Sequence, residues 1–521
     1  MTGLAPFKNE PLTDFSKPAN VYAFEEAIST VRAQLGRKYP LHIGANELWT
    51  EDTFDSINPS RPAEIIGTFA KGRKEDGERA IAAAAEAFKS WRNVDPQERA
   101  RYLLSAASAM RQRKHEFSAW MVFEIGKSWA EADADTAEAI DFLEYYARQM
   151  IRLTEASSLL TLNPGEQNEL QYIPLGVGAV IPPWNFPNAI MVGMTSAAIV
   201  AGNSVVLKPA SITPMIAYKF CELLWQNGLP SGVLNFVPGP GAAIGDTLVD
   251  HPHTRFIAFT GSKEVGMRIF ERAAKVQPGQ KWLKRTALEM GGKDAVLVDE
   301  TADLEAAAEG IVTSAFGFQG QKCSAGSRAI IVDKVYDTVQ NRVVEKTRQL
   351  VQGAPDSGAH IHQGPVSDKN AMKTIMDYIE VGTQEGHLLL GGKAKETREG
   401  GYFIEPTIFG DVPPNARIAQ EEIFGPVLAM IRAKDFNDAL EIANSTEFGL
   451  TGAVYSRSRM RLELARQEFH VGNLYFNRKC TGALVGVHPF GGFNMSGTDS
   501  KAGGPDYLLL FTQAKSIAEK L

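Results

Sequence analysis

The feature that most constrains the fold is a series of short apolar runs, each separated from the next by a segment long enough for a helix. The first series lies between Leu175 and Lys275 and comprises GVGAVI, SVVL, VLNFV and RFIAF. A second series begins at KDAVLV and continues through RAIIV and GPVLAMI toward TGAVY. Parallel strands need a crossover between them, usually a helix, so this alternation predicts an α/β fold with two parallel-sheet domains.

Segments outside these runs are predicted to be helical or to form a hairpin. Within residues 1–40, YAFEEAISTVRAQL has apolar residues at helical spacing and predicts a helical arm. After LHIGANELW the chain is predicted to turn helical again, and Asp95 followed by Pro96 predicts the start of a helix through ARYLLSAASAMRQRK. The stretch SSLLTLNPGEQNELQYIPLG indicates two strands around a Pro-Gly turn, either a projecting hairpin for subunit pairing or an edge hairpin packed within one chain.

Composition and charge exclude several classes of partner. The formal net charge is −7 and no block of Lys and Arg forms a basic stripe, so no nucleic acid is expected as a partner. Three cysteines in 521 residues cannot form a disulfide framework, which fits a reducing compartment. The start MTGLAPFKNEPLTDF lacks a secretory pattern, and the most apolar run, AIMVGMTSAAIVAG, is too short and too polar to span a bilayer. We expect a cytoplasmic protein with no membrane partner and no metal site, since His360 and His362 lack a further ligand nearby.

One cysteine lies in a setting that suggests chemistry. The segment LEAAAEGIVTSAF has a helical stripe of apolar residues that stops at Gly317 and Gly320, which leaves Cys323 in a loop of Gly, Gln and Ser. Its neighbours are Lys322 and Ser324, and a nearby cation favours the reactive thiolate. The alternative is a small buried hydrophobe, which is what most free cysteines are.

A thiolate nucleophile needs donors for the oxyanion that it creates and a base to activate water. Asn185, in IPPWNFP, is a neutral amide in a loop stiffened by prolines. Glu289, in LEMGGK, is followed by two glycines that let backbone approach a ligand closely. Each residue, taken alone, fits a cap or turn residue better than a catalytic one.

The loops after the first series of strands also carry weak nucleotide signals. VPGPGAAIG has GxGxxxG spacing and not the GxGxxG fingerprint. In FTGSKEVG, Gly261 and Ser262 end a strand before a helical segment whose free N–H groups favour a pyrophosphate, although Ser262 could be only a helix cap. Lys208, in VVLKPAS, could donate to ribose hydroxyls or be a solvated charge before a proline turn.

The motifs together resemble those of the aldehyde dehydrogenase superfamily, in the same order and over nearly the whole chain after the arm. They are PWNFP, KPA, FTGS followed by VG, LEMGGK, GQKCSA, EEIFGPV, and PFGG followed by SG. GFQGQKCSA, EFHVGNLYFNRK and TGALVG, with the long arm, are similar to the subgroup that oxidises L-glutamate γ-semialdehyde to glutamate in proline breakdown. The resemblance implies an NAD-dependent oxidoreductase with that small-molecule substrate.

The resemblance also implies a catalytic role for each of three residues. Cys323 would attack the aldehyde carbon, and the amide of Asn185 with the Cys323 backbone N–H would hold the oxyanion. Hydride transfer to the nicotinamide would leave a thioester on Cys323. Glu289 would then act as the general base that activates water to hydrolyse the thioester.

For the cofactor, the resemblance implies contacts from both series of strands. The residues are Pro183, Trp184, Lys208, Ser211, Gly261, Ser262, Val265, Glu422 and Phe424. Many NAD-using relatives have Glu where this chain has Ser211, and that Glu would repel a 2′-phosphate whereas Ser does not. The resemblance therefore implies NAD as the main cofactor, with use of NADP as a hypothesis.

For the substrate, the resemblance implies an anchor for the α-carboxylate, a box around the aliphatic chain and a group facing the ammonium. The residues are Ser324, Gly482 and Ala483, then Phe186 and Phe490, then Glu138. Phe490 could instead be plain core, and Glu138 a solvated carboxylate on a helix.

The implied architecture is two Rossmann-like domains with a β-flap for oligomerisation. The predicted boundaries are 1–40 for the arm, 41–150 and 173–290 for the NAD-binding domain, 291–490 for the catalytic domain, and 151–172 with 491–521 for the flap and C-terminal segment. A flap of this kind needs a second subunit to cover it, so a homo-oligomer, at least a dimer, is expected.

Other interpretations remain open at this point. A general aldehyde dehydrogenase could act on another small or carboxylated aldehyde. A thiol hydrolase or acyltransferase would pair Cys323 with one of nine histidines, although no histidine lies within the motifs above. A binding protein that has lost activity is disfavoured, because Cys323, Asn185 and Glu289 are all present.

Overall fold

The computed structural model describes residues 4–154, 160, 161 and 163–521 of the chain. The helices are α1 Pro18–Arg32, α2 Lys74–Trp91, α3 Pro96–Gln112, α4 Lys114–Ile125, α5 Trp129–Leu153, α6 Ala189–Val200, α7 Pro214–Gln226, α8 Asp246–Asp250, α9 Lys263–Ala274, α10 Leu304–Phe316, α11 Asp333–Arg348, α12 Lys369–Glu385, α13 Arg417–Gln420, α14 Phe436–Ala443 and α15 Arg459–Glu468. The strands are β1 Arg37–Tyr39, β2 Leu41–Ile43, β3 Asn46–Leu48, β4 Thr53–Asn58, β5 Arg61–Ala70, β6 Glu166–Pro174, β7 Val177–Ile181, β8 Ser204–Leu207, β9 Leu234–Phe236, β10 Thr254–Thr260, β11 Arg285–Glu289, β12 Ala295–Val298, β13 Arg328–Val332, β14 His387–Leu390, β15 Ala394–Lys395, β16 Phe403–Ile404, β17 Thr407–Gly410, β18 Val427–Ala433, β19 Phe448–Gly449, β20 Thr451–Tyr455, β21 Asn473–Phe476, β22 Phe493–Asn494 and β23 Thr512–Lys520.

The first apolar series forms one sheet with the strand order β11-β10-β7-β8-β9-β2-β3. Strands β11 to β9 run parallel, and β2 and β3 extend the edge in antiparallel pairing. Alternate residues of β8 enter different cores: Val205 and Leu207 join the core that contains α6, and Val206 joins the core that contains Ile81 of α2. The strands are apolar throughout because helices cover both faces of the sheet.

The second series forms a sheet with the order β14-β17-β18-β13-β12-β20-β21, parallel except at β14. Strands β12, β13 and β20 are buried at every residue. The predicted α/β class with two parallel-sheet units is therefore confirmed.

Local signals explain where the helices that matter for the site begin. Asp95 accepts a hydrogen bond from the N–H of Gln97, with Pro96 as the first residue of α3, as predicted. Asp303 accepts from two N–H groups of α10, and that helix ends at Phe316, just before Gly317.

The prediction that the chain turns helical directly after LHIGANELW is wrong. Strands β4 and β5 intervene and pair with β1 in a small sheet. The turn between β4 and β5 depends on the Asn58 side chain, which accepts from the Ser60 N–H at 2.8 Å. The helix expected there begins only at Lys74.

A two-stranded ribbon joins distant parts of the chain. β6 pairs antiparallel with β23, from Pro174 opposite Thr512 to Glu166 opposite Lys520. The first strand of the predicted hairpin falls largely on residues 155–159 and 162, which lie outside the described residues, and residues 151–153 belong to α5. The predicted domain boundaries stay predictions, since strand pairing alone draws no boundary.

None of the helices in the described ranges combines the length and the apolar character that crossing a membrane requires.

Candidate active site

The candidate site lies where the edges of the two sheets meet. The loops after β7, β8 and β10 of the first sheet carry Asn185, Lys208 and Ser262, and Glu289 is the last residue of β11. Cys323 and Glu422 instead lie before β13 and β18, at the amino ends of strands of the second sheet. The carboxyl edge of one parallel sheet thus faces the amino edge of the other.

Cys323 follows an unusual turn. Phe318, Gln319 and Gly320 all have positive φ, at 48°, 55° and 67°. The left-handed region is unfavourable for residues other than glycine, so surrounding contacts must hold the turn. One of them is the Gln319 side-chain amide, which donates to the Pro365 carbonyl at 2.7 Å.

The charge around Cys323 differs from the prediction. The Nζ atom of Lys322 lies 2.7 Å from Oε1 of Glu131 and so forms an ion pair. Burial raises the pKa of the Cys323 thiol, and the carboxyl groups of Asp294, Glu422 and Glu289 raise it further. The prediction that Lys322 favours the thiolate is wrong, because its charge is engaged by Glu131.

Two N–H donors lie beside the nucleophile. Asn185 is buried, and its Nδ2 donates to the Gln321 carbonyl at 3.0 Å, which leaves its second N–H for another acceptor. Within the described residues, the backbone N–H of Cys323 has no acceptor. The pair could therefore hold an oxyanion formed at Cys323.

Glu289 shares a cavity with Cys323. Its Oε1 accepts a hydrogen bond from Ser500, and its buried Oε2 has no partner among the residues that the structure describes. Burial raises the pKa of Glu289 to about 8, against the opposing effect of hydrogen bonds from Ser500 and the Gly492 N–H. This carboxyl group is therefore a stronger base than an exposed one.

We name this space the inner cavity, of about 100 Å³. It is lined by Glu138, Phe142, Phe186, Ile190, Gly193, Met194, Thr260, Glu289, Met290, Cys323, Ser324, Gly482, Ala483, Phe490, Ala502 and Tyr507. All six residues predicted for the substrate are among them. The small volume suits a small substrate.

Free donors and a raised carboxyl pKa characterise the inner cavity. The Ser324 hydroxyl and the backbone N–H groups of Gly482 and Ala483 have no acceptor in the described part of the protein. Gly482 has φ +75°, which glycine adopts without strain. Glu138 lines the cavity instead of projecting into bulk solvent, and burial, with a contribution from Asp135, raises its pKa to about 8.

A second, larger space meets the first at Cys323, Thr260 and Met290, and we name it the outer cavity. It encloses about 360 Å³ and is lined by Pro182, Pro183, Trp184, Asn185, Ala210, Phe259, Thr260, Gly261, Ser262, Val265, Met290, Gly291, Cys323, Glu422 and Phe424. Of the residues predicted for the cofactor, Lys208 and Ser211 are absent from this lining but flank Ala210, which belongs to it.

Lys208 is buried, with 4% of its surface exposed, so the alternative of a solvated charge is wrong. Its Nζ donates to the Pro209 carbonyl at 3.1 Å, and within the described ranges this is its one hydrogen bond. Burial lowers the pKa of Lys208 to about 8. An ammonium group so placed retains N–H donors for a ligand.

Glu422 and Phe424, which precede β18 of the second sheet, also line the outer cavity. The Gly292 N–H donates to Glu422 at 3.0 Å, and burial raises the pKa of Glu422 to about 7. Phe424 packs edge to face against Trp184, with ring centroids 5.3 Å apart. Ser262, which also lines this cavity, is the N-cap of α9 and accepts from the Val265 N–H at 3.4 Å.

Some residues that line the cavities or contact the site were not predicted from the sequence. Ile190 and Met194 lie one helical turn apart on α6, directly after the Asn185 loop. This helical spacing could have identified them as residues on one face of a helix beside the site. Ser500 contacts Glu289 across 211 positions, and no local pattern indicates such a contact.

Among the described residues, no three His, Cys, Asp or Glu side chains come together as a potential metal site.

Comparisons with known proteins agree with this geometry. The profile of the aldehyde dehydrogenase family matches residues 49–517. The chain is 62% identical to a 1-pyrroline-5-carboxylate dehydrogenase of Geobacillus thermodenitrificans and 60% identical to 1-pyrroline-5-carboxylate dehydrogenase 2 of Bacillus subtilis, with 99% of each chain covered. A crystal structure of 1-pyrroline-5-carboxylate dehydrogenase from Thermus with bound NAD superposes with a TM-score of 0.97, at 52% identity and 100% coverage of both chains. The chain therefore belongs to the aldehyde dehydrogenase family.

Proposed function

We propose that this protein is an NAD-dependent aldehyde dehydrogenase that oxidises L-glutamate γ-semialdehyde, the open form of 1-pyrroline-5-carboxylate, to L-glutamate. The identity of the substrate is inferred from the unpaired hydrogen-bond donors of Ser324, Gly482 and Ala483 in the cavity that holds Cys323. A carboxylate needs such donors, and a simple aliphatic aldehyde would leave them unsatisfied. The names of the relatives above support the same substrate, which belongs to proline degradation.

The outer cavity fits the cofactor NAD. The buried Lys208 ammonium has donors to spare for ribose hydroxyls, Ser262 and the start of α9 offer donors to a pyrophosphate, and Glu422 can accept from a ribose. A Cβ added to Gly291 would lie 2.0 Å from Oε2 of Glu422, so only glycine leaves that carboxylate in place. When bound, NAD supplies the two-electron acceptor for the hydride.

The first chemical step belongs to Cys323. Its thiol releases a proton to solvent, and the thiolate sulfur then bonds to the aldehyde carbon while the carbonyl π electrons move to the oxygen, giving a thiohemiacetal anion. The negative charge on the former carbonyl oxygen is held by the second N–H of Asn185 and the Cys323 N–H. Because burial and the nearby carboxylates raise the thiol pKa, bound positive charge in the outer cavity would favour the thiolate.

Loss of hydride from the thiohemiacetal carbon leaves a thioester on Cys323. Glu289 takes a proton from water, the water oxygen bonds to the thioester carbon, and the carbon–sulfur bond breaks. The product is the carboxylic acid, and the Cys323 thiol is regenerated. Phe186 and Phe490 would enclose the aliphatic chain during both steps, and Glu138 would face the α-ammonium.

Ser211 supports the use of NADP beside NAD. Its side chain is neutral, and its hydroxyl donates to the Gly239 carbonyl at 3.4 Å. No carboxylate at this position would repel a 2′-phosphate.

We also propose a homo-oligomer, at least a dimer, in the cytoplasm. Helix α9 exposes Met267 and Phe270 at 50% and 57%, an apolar surface that a second copy would cover. The ribbon of β6 and β23 leaves strand edges that a neighbouring subunit could pair. The three cysteines are free, which suits a reducing compartment.

The experiment is NADH formation by the purified protein with 1-pyrroline-5-carboxylate and, in parallel, with butanal. We expect kcat/KM for the amino-acid aldehyde to exceed that for butanal by about a hundredfold, because butanal leaves the anchoring donors unpaired. Cys323→Ala should abolish both reactions.

A matched variant isolates the anchor. Ser324→Ala should lower kcat/KM for the semialdehyde and leave that for butanal within about twofold, since a hydrogen bond to a charged group contributes about 1.5–3 kcal/mol. Equal turnover of both aldehydes by the wild type would contradict the proposed substrate. Activity that survives in Cys323→Ala would contradict the mechanism.

A further inference from the structure

We propose that Lys127 is a positioning residue: its buried ammonium holds the loop of Asn185 against the loop of Cys323, and Asp135 holds the ammonium. The inference rests on the function proposed above, because it concerns the geometry of that reaction. Neither residue lines the inner or the outer cavity, and neither belongs to a motif that indicated function in the sequence.

Lys127 is wholly buried between α4 and α5, with 0% of its side chain exposed. Its Nζ lies 2.9 Å from Oδ2 of Asp135, which is also 0% exposed. The same Nζ lies 4.0 Å from the centre of the Phe186 ring and 4.6 Å from the centre of the Phe318 ring. Both distances fall within the range of cation–π attraction.

The two rings belong to the two loops that the reaction must align. Phe186 directly follows Asn185, the proposed oxyanion donor, and its own ring lines the inner cavity. Phe318 is the first residue of the left-handed turn that leads to Cys323. One cation therefore attracts the ring of each loop, and sets how far the Asn185 amide lies from the Cys323 sulfur.

Asp135 fixes the cation and a second element. Its Oδ1 accepts from the Ala189 N–H at 2.6 Å, at the first residue of α6. Helix α6 begins directly after the Asn185 loop, so the carboxylate holds the end of that loop while its other oxygen pairs with Lys127. The N-terminal N–H of a helix and an ammonium are both favourable partners for a carboxylate.

The proposed role depends on the positive charge of the Lys127 ammonium. A methionine would fill nearly the volume of the lysine without the cost of removing an ion pair from water. It would also lose the directed attraction to two ring faces. A misplacement of about 1 Å is enough to slow a reaction about a hundredfold, so an interaction that sets loop distance bears directly on rate.

The experiment compares two buried ion pairs whose carboxylates, Asp135 and Asp133, lie on the same helix, α5. Lys127→Met with Asp135→Asn removes the proposed clamp. Lys114→Met with Asp133→Asn removes a matched pair, whose Nζ and Oδ2 are also 2.9 Å apart but whose carboxylate binds Thr13 of the arm. The readouts are the rate constant of the NADH burst with the semialdehyde and with butanal, KM for NAD, thermal unfolding, and the rate of Cys323 alkylation by iodoacetamide.

We expect both double variants to lower the unfolding temperature similarly, while only the clamp variant slows the burst, by about 10- to 100-fold with either aldehyde. KM for NAD should stay within about threefold, and alkylation of Cys323 should change by at least about threefold. Lys127→Arg, which keeps a cation beside the rings, should recover most of the burst rate and also serves if the double variant fails to fold.

The inference is overturned if the clamp variant matches the control variant in burst rate and alkylation, or if Lys127→Met and Lys127→Arg are equally slow. An inactive wild type would refute the proposed function separately. In that case the alkylation rates still decide whether Lys127 sets the position of the Cys323 loop.

Discussion

At the scale of single residues, Glu289 acquires its proposed task from its surroundings. Strand β11 ends at this residue, and the chain around Gly492 and Ser500 closes over it from a distant part of the sequence. Burial disfavours the ionised form of Glu289, so its pKa rises to about 8 although hydrogen bonds from Ser500 and the Gly492 N–H act to lower it. A carboxyl group tuned in this way can accept a proton from water near neutral pH.

Glu289→Gln should separate the two halves of the reaction. The amide keeps the size and the hydrogen bond from Ser500 but cannot accept a proton, so thioester formation should survive and hydrolysis should slow by about 10²–10⁴-fold. Rapid-mixing kinetics should show a full burst of NADH followed by almost no steady-state turnover. Loss of the burst itself would instead place Glu289 in the first step.

The same residue predicts a pH dependence. Glu289 is active when ionised, and with a pKa of about 8 its ionised fraction rises about tenfold between pH 7 and pH 9. The rate of thioester hydrolysis should therefore increase with pH and level off above about 9. A flat profile between pH 6 and 9 for hydrolysis in the wild type would contradict this assignment.

Ser211→Glu should change cofactor preference. The introduced carboxylate would repel a 2′-phosphate but could accept from the 2′-hydroxyl of NAD. We expect kcat/KM with NADP to fall at least tenfold, which corresponds to a repulsion of about 1.4 kcal/mol in free energy. The value of kcat/KM with NAD should change little. Wild-type turnover with NADP at background level would remove the basis for this prediction.

At the scale of elements, the site depends on loops that bring backbone close to side chains. Gly291 and Gly292 follow β11, and Glu422 lies against both: Gly292 donates to it, and Gly291 leaves room for it. The loop after β11 therefore positions a carboxylate that belongs to the second sheet. This is how the first sheet and the loop before β18 share one cavity.

Gly291→Ala should displace Glu422 without unfolding the protein. The new methyl group would lie 2.0 Å from Oε2, so the carboxylate must move and lose the bond from Gly292. Losing a hydrogen bond to a charged group costs about 1.5–3 kcal/mol, and KM for NAD should rise at least about tenfold.

A glycine with open space around it is the matched control. A Cβ added to Gly245 meets no atom within 4 Å, so Gly245→Ala should leave KM for NAD unchanged. If both variants bind NAD like the wild type, Glu422 does not contact the cofactor.

At the scale of the whole molecule, two parallel sheets place opposite edges around one site. The first sheet contributes residues after its strands, as is usual in open α/β folds. The second contributes residues before its strands, so Cys323 and Glu422 precede β13 and β18. Cofactor and substrate would then approach Cys323 from different sides, through the outer and the inner cavity.

Phe270→Arg should weaken self-association. Phe270 is 57% exposed on α9, within the apolar surface assigned above to a second copy, and a charge there would have to be desolvated on assembly. Sedimentation velocity should show a shift toward monomer. The control is Met460→Arg on α15, where a large apolar side chain is 78% exposed and no such surface is proposed. Equal association states for both variants and the wild type would place the subunit contact elsewhere.

Local patterns were sufficient for much of the fold. Four strands of each sheet, the capped start of α3 and the extent of α10 follow from apolar spacing and from cap residues, which act over a few positions. The β4–β5 hairpin was missed because its Asn58 turn was not recognised. Asn185, Glu289, Lys208 and Ser262 were singled out because they lie near strand ends, glycine or proline, whereas most of the other site residues were predicted from the family resemblance.

What the sequence by itself determined is the class of fold, the order of the motifs and which groups are candidates for the chemistry. Only the tertiary structure decided that Lys208 is buried, that Lys322 pairs with Glu131, and that Lys127 lies against the rings of Phe186 and Phe318. The physical reason is range: propensity and capping act between neighbours in the chain. Desolvation and ion pairing instead depend on groups that folding brings together from far apart, such as Lys322 and Glu131, 191 positions apart.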